Sequence, residues 1–535
     1  MNNKFLNISL GVAAAMALSS CNGWLNEEAP GVQKIEDFYI GGEMGIQTVN
    51  AAYVPLAWEY NNSYFSEWFF GDIASDDALK GGQNVADGLD AYDIDNFKVN
   101  PNNTICLDYY RAKFQGIGRA NLALREVEKL EPDEAMSQSR KDCLMGESYF
   151  LRGLYYFQLV RLFGGVPLIT EVLDSSNKWK QTRATADEIY AQIIKDFVAA
   201  EALLYNKDEY PAADLGRATK GAAQAMLCKV YLYMHDYDNA YTWGKKWVDE
   251  QYRAGKYSLN SKYTDNFVMS GENGPESIFE IQYILEATSD YGVGFGSTRG
   301  TFTTILCRQR GSSMGSLAGW GWDHPTQNLW DEYEAGDPRR EWTIGVPSEE
   351  DLENIAVTYL GSPYFNLKNS YYDYDGGYYP SIEHASRSPR NYIIMRAADA
   401  LLLFGEAALE SGKSVSDAKW ALEEVRARAR ANASATDALP AFPGYNGYAD
   451  NTDDLRRAIR HERRVELGME GHRWFDLVRW GIAYDVLDKD AGSYGRTESD
   501  EARAEMANFV KGKCELMPIP FEEINLNAME QNPGY

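Results

Sequence analysis

"SRKDCLMGESYFLRGLYYFQLVRLFGGVPL", residues 139–168, decides the fold class. Leu151, Leu154, Tyr155, Leu159 and Leu162 stand at steps of 0, 3, 4, 8 and 11, which draws one apolar stripe along an α-helix. Phe150 and Phe157 broaden the stripe, so this helix must be covered on more than one side. Gly146 and Gly153 leave room for a neighbour to come close, and Gly164-Gly165 followed by Pro167 predicts the stop.

The same spacing recurs outward from there. In "RATKGAAQAMLCKVYLYMHDYDNAYTWGKKWV", residues 217–248, Ala223, Met226, Leu227, Val230 and Met234 repeat it, and "MHDYDNA" turns the chain into a second helix. Small residues inside the first helix and a tight acidic turn resemble a tetratricopeptide unit. "RAADALLLFGEAALESGKSVSDAKWALEEVRARA", residues 396–429, carries Ala397, Ala400, Leu401, Phe404 and Ala408, with Gly412 as the stop and Ser416 or Asp417 as the next cap. With residues 114–130 and 186–204 the chain holds about four helix pairs, enough to stack a shared core. The expected fold is mainly α: a helical-pair scaffold over 101–252 and 393–480, interrupted at 253–392 by an excursion rich in Gly, Ser, Tyr and Trp. That excursion is too long for a connection and reads as a functional surface.

The N-terminus predicts an address. Lys4 precedes an apolar run from Phe5 to Leu18 that is shorter than the ~20 residues of a membrane span. Leu18-Ser19-Ser20-Cys21 ends it on small residues and a thiol, the form of a bacterial lipobox. The expectation is therefore a signal peptide over 1–20, acylation of Cys21, and a single domain over 21–535, held at the outer membrane by its lipid and facing the exterior. A formal charge of −27 argues against nucleic acid and anionic lipid as partners. Cys106, Cys143, Cys228, Cys307 and Cys514 have neither metal-ligand nor C-x-x-C spacing, and Cys143 and Cys228 fall in helical segments as small core residues.

"GESYFLRGLYYFQLVRLFGGVPL", "RATKGAAQAMLCKVYLY", "YIIMRAADALLLFGEAAL", "IRHERRVELGMEGHRWFDLVRWG" and the closing "MPIPFEEINLNAMEQNPGY" together resemble the SusD/RagB family of outer-membrane lipoproteins. That resemblance implies a right-handed scaffold of tetratricopeptide-like pairs and an irregular excursion that captures nutrients. It also implies a SusC-like TonB-dependent transporter as partner, with oligosaccharides, or peptides in the RagB branch, as cargo.

Four segments carry partial catalytic motifs. "GSSMG" at 311–315 centres on Ser313 but has no helix to follow it. "HERRVELGMEGH" offers His461 and Glu462, yet Val465 stands where a zinc helix needs its second histidine. A helix whose Arg456, Arg460, Arg463 and Arg464 lace against Glu462 and Glu466 is expected instead. "GEAALESGKS" has Ala407 where a phosphate loop needs glycine, and reads as a helix end. "GDIASDDALKGG" gathers Asp72, Asp76 and Asp77. Asp76 and Asp77 are candidates for bonding sugar hydroxyls, for calcium, for an Asx-bonded turn, or for a glycosidase acid and base. No cofactor or resident metal is expected.

Sugar rings offer flat C–H faces bordered by hydroxyls, so exposed aromatic planes suit them. The candidates are Trp68 in "EWFFGD", Trp320 and Trp322 in "AGWGWDHP", and the cluster at 371–379 led by Tyr371 and Tyr372, because each lies among glycines and polar residues. Trp330, Tyr333 and Trp342 border a helical segment and read as structural. Two or three stacks at roughly 0.5–1.5 kcal/mol and four or five hydrogen bonds at about 1 kcal/mol, less association costs, predict micromolar to millimolar binding. Capture without catalysis is the expected activity; peptide capture, or hydrolysis by Asp76 and Asp77, is the alternative.

Overall fold

The computed structural model describes residues 39–59, 66–173, 180–285, 300–310, 318–348, 362–379, 388–435, 437–488 and 508–535. The lipobox with Cys21, and Ser313, lie outside them.

Side chains that satisfy the first backbone N–H groups set the helix starts. Helix α1 spans Gly42–Tyr53. α2, Thr104–Lys129, starts where Asn103 accepts from Cys106 N at 3.0 Å. α3, Gln138–Phe163, starts at Ser137, and α4, Ala186–Leu203, at a capping box between Thr185 and Glu188. Thr219 caps α5, Lys220–Tyr233, and Asp236 caps α6, Tyr237–Trp247. After the excursion come α7, Ala397–Glu410, and α8, Val415–Asn432. The cap of α8 is Ser414, two residues before the expected Ser416, and Asp417 supplies the N–H that Ser414 accepts. Asn451 caps α9, Thr452–Leu467, and the short α10 spans Arg473–Arg479.

From α1 to α6 each helix packs on its successor, and α7 packs on α6, α8 and α9. The apolar stripes meet in one core that takes in Leu151, Leu154, Tyr155, Leu159, Ala223, Leu227, Leu401 and Phe404. Gly153 shows how α4 gets so close: a Cβ there would lie 3.2 Å from the Phe197 ring. Although 149 residues separate Trp247 from Ala397, Tyr241 of α6 stacks on Phe404 of α7 at 5.8 Å between ring centres. The excursion leaves the scaffold and returns to it without breaking the stack.

Its two ends are zipped together. Strand β2, Ser277–Ile281, pairs antiparallel with β8, Tyr392–Arg396, with Ser277 opposite Arg396 and Ile281 opposite Tyr392. Between them run three short antiparallel ribbons. β1, Ala78–Gly81, pairs with β3, Trp322–Pro325, so the segment before the scaffold is built into the excursion. β4, Ile344–Gly345, pairs with β5, Phe365–Asn366, and β6, Tyr372–Asp373, with β7, Gly377–Tyr378.

The cysteines Cys106, Cys143, Cys228, Cys307 and Cys514 are free and buried. No helix among the described residues is long and apolar enough to cross a membrane.

The arginines of "HERRVELGMEGHRW" depart from expectation: they lace across elements rather than along α9. Arg463 reaches Asp399 of α7 at 2.8 Å and Asp476 of α10 at 3.0 Å, while Arg464 reaches Asp77 at 2.8 Å. Glu462 and Glu466, one turn apart, share Arg339 at 2.6 and 2.9 Å. A regular helix exposes an i,i+4 pair to solvent, whereas this face of α9 is covered by three other elements.

Candidate functional site

The acidic turn is a clamp. Trp68, Phe69, Phe70 and Gly71 form a single buried helical turn, and Asp72, Asp76 and Asp77 beyond it are wholly buried. Asp72 accepts the Gly471 N–H on both oxygens at 2.9 and 3.0 Å. Asp76 takes Arg473 in a two-pronged pair at 2.7 and 2.9 Å and Arg464 at 2.9 Å. Burial opposes ionisation of Asp76, but the Arg464 and Arg473 guanidiniums outweigh it and hold the carboxyl down at about 2. Burial pushes Asp77 the other way, up from the usual carboxylate range, with Arg464 pulling against it. The expectation that Asp76 and Asp77 meet a ligand or act as acid and base is corrected here: both side chains are wholly buried, Asp76 is taken up by Arg464 and Arg473, and Asp77 meets Arg464 through Oδ1. Among the described residues no group of His, Cys, Asp and Glu could hold a metal ion.

Asp323 of β3 belongs to the same acidic layer but has no arginine partner among the ion pairs of the described residues. Asn366 of β5 donates to its Oδ2 at 2.6 Å, which ties two ribbons together, while its Oδ1 is buried without a partner. Burial, aided by the charge on Asp77, pushes its carboxyl up to about 8. A native state that holds this proton more tightly than the unfolded chain loses stability as pH rises from about 4 to 8. Asp323→Asn keeps the acceptor and suits the left-handed φ of 57°. We expect its urea midpoint to fall less steeply than that of the parent between pH 5 and 8, the two curves diverging by up to about 1.4 kcal/mol per pH unit. Parallel curves would contradict the assignment.

The aromatic candidates separate by burial. Trp68 is fully buried, stacks on Phe69 at 4.1 Å and donates from Nε1 to Thr303 Oγ1 at 3.0 Å, so no ring face is left for a sugar. Trp322 is sealed by β1: Lys80 Nζ sits 4.5 Å over its ring and Phe69 meets it edge-on at 5.9 Å. Tyr371 is covered by Tyr379 at 4.4 Å and by the Arg308 guanidinium. These three placements correct the expectation; in each, side chains from elsewhere in the fold cover a ring that the neighbouring glycines suggested was open. Trp330 stacks on Tyr364 at 4.9 Å, and Tyr333 is buried.

Trp320 and Tyr372 remain half-buried at the surface. Trp320 lies against Phe302, with its carbonyl accepting from Arg310 at 3.1 Å. Next to Arg310, the Gln309 carbonyl accepts from Gly319 N at 2.8 Å, and Gln309 lines a cleft that Tyr372 also lines. The cleft holds about 390 Å³. Its floor is Ile344, Phe365 and Leu367, its lip Val346, Pro347 and Ser348, and Glu341 stands at its edge. Gly345 is required there, because a Cβ would sit 2.2 Å from the Phe365 ring that crosses it from the paired strand. Tyr374 donates to the Trp342 carbonyl at 2.7 Å and so fixes the β6–β7 hairpin beside the β4–β5 ribbon. A half-open aromatic beside an apolar hollow with polar edges can bind a flat, hydroxyl-rimmed molecule.

Sequence reasoning missed Gln309, Phe365, Leu367 and the 344–348 segment. None has a composition signal, since they become a site only when two ribbons pair.

Residues 234–535 match a profile described as "SusD family", and residues 28–232 match one described as "Starch-binding associating with outer membrane". The chain is 26% identical over 456 residues to "SusD-like protein P2" of Formosa agariphila, covering 83% of each chain. A solved "Laminarin binding SusD-like protein" is 28% identical, with a TM-score of 0.76 over 93% of this chain and 100% of that one. "Surface glycan-binding protein A from Bacteroides uniformis" is 26% identical, with a TM-score of 0.74 over 92% and 99%.

Proposed function

Because the chain belongs to the SusD/RagB family, matched over residues 234–535, we propose that it captures oligosaccharides at the cell surface without altering them and delivers them to a SusC-like TonB-dependent transporter. Acylated Cys21 holds it to the outer membrane, facing the exterior, and the body sits over the transporter as a lid. The observation that carries the glycan reading is a hollow of about 390 Å³ with an apolar floor, lined by the half-buried ring of Tyr372; Trp320, also half-buried, adjoins Gly319, whose N–H is bonded to the cleft residue Gln309. The relatives named for laminarin and for surface glycans support it. The hydrolase alternative has lost its acid and base, since Asp76 and Asp77 are locked onto Arg464 and Arg473.

Isothermal titration with oligosaccharides and with peptides tests the reading. Glycan binding in the micromolar to millimolar range is expected, and Trp320→Ala or Tyr372→Ala should each weaken it about 3- to 10-fold, the value of one lost ring stack. Binding of peptides alone, or glycan affinity indifferent to both substitutions, would overturn it.

A further inference from the structure

We infer that the cleft beside Tyr372 is built for an uncharged sugar residue and rejects uronates and sulfated sugars; this rests on the glycan reading above and adds the substrate class. Two observations point there. Among the described residues that line the cleft, Glu341 is the single charged side chain, and it is exposed; its neighbour Arg340 lies over the Trp330 ring at 4.4 Å, and Arg310 donates to the Trp320 carbonyl at 3.1 Å. A site for a carboxylate or sulfate supplies guanidinium or ammonium donors; this one supplies a like charge. The floor of Ile344, Phe365 and Leu367 is almost wholly apolar and suits the C–H face of a neutral pyranose.

The second observation is Gln309. Gln309 lines the cleft and is 4% exposed, yet its amide nitrogen has no hydrogen-bond partner among the described residues. A buried donor left unpaired is costly and rare in folded proteins. A sugar hydroxyl that reaches this nitrogen supplies the acceptor that the described residues leave unmet. Gln309 is thereby a specificity-determining residue for hydroxyl over carboxylate at this position, with Glu341 as the repulsive element that good discrimination needs.

The test uses the full chain purified in detergent and titrated with neutral hexasaccharides of glucose, xylose and mannose and with hexagalacturonate. We expect at least one neutral hexasaccharide to bind at least tenfold more tightly than hexagalacturonate, with the gap narrowing at high salt. Glu341→Lys should close most of that gap. Glu134→Lys, the same charge change on an exposed residue outside the cleft, should leave it open. Gln309→Leu should weaken the neutral ligand about fivefold, and the smaller change Gln309→Asn guards against a folding defect. Equal binding of neutral and anionic sugars, or indifference to both Glu341→Lys and Gln309→Leu while Trp320→Ala still weakens binding, overturns this inference and leaves the glycan reading standing. Failure of every hexasaccharide to bind overturns both.

Discussion

Glu466→Ala is expected to lower the free energy of unfolding by about 3–5 kcal/mol, a large share of the 5–15 kcal/mol typical of a folded domain. Glu466 is wholly buried on α9, where its carboxylate takes Arg396 at 2.6 Å, Arg339 at 2.9 Å and Arg428. Those arginines come from the end of β8, from the short helix Pro338–Thr343 and from α8, so one carboxylate joins the excursion, the strand by which it returns and two scaffold helices. The Glu466 carbonyl adds to this by accepting from Tyr263 at 2.9 Å and Arg396 at 2.8 Å. Burial disfavours the ionised carboxyl, but Arg428, Arg396 and Arg339 hold it far below the usual range. The stability it contributes is thus present above pH ~4.3 and is lost only as pH falls towards that depressed value. Truncation takes one carboxylate from three buried guanidiniums at once, leaving Arg339 with Asp337 and Glu462, Arg396 with Glu276 and Glu470, and Arg428 with Glu276 alone, which costs more than a surface pair is worth. Denaturant unfolding checks this against Arg457→Ala, whose side chain is 67% exposed in its pair with Asp454 and which should cost under about 1 kcal/mol. Similar losses in the two variants would show that Glu466 is not a clamp.

Asp76→Ala is the second large effect, expected at about 3 kcal/mol, with glycan affinity of the folded protein unchanged within about twofold. Arg473 loses both of its bonds to Asp76, and Arg464 keeps Asp77 and Glu332 at 2.8 and 3.1 Å, which limits the damage. Unfolding and titration on the same sample separate the outcomes. An undiminished stability with lost binding would return Asp76 to the ligand site.

The scaffold was readable because a helix packed on several sides writes its own period into the chain. Leu151, Leu154, Tyr155, Leu159 and Leu162 are all core residues, and the stops at Gly164 and Gly412 fall where turn chemistry puts them. The binding face was readable only in part. Of the aromatic candidates, Trp320 and Tyr372 keep surface, whereas Trp68, Trp322 and Tyr371 do not. Neighbouring glycines suggested exposure equally for all five, but whether a ring is open depends on what comes to cover it, and for Trp68 that cover is Thr303, 235 residues away. The helix of "HERRVELG" was similarly clear as a helix, and its charged face misleading: the local rule pairs Arg with Glu one turn along, while the actual partners lie on α7, on α10 and in the turn before β1.

By itself the chain determined its helices, their ends and the stretch where helical order gives way, since those depend on residues within a turn or two of each other. Only the tertiary structure decided which carboxylates are clamps and which rings stay open. Both outcomes are set by long-range partners, and a buried charge or ring declares its role only through the groups packed around it.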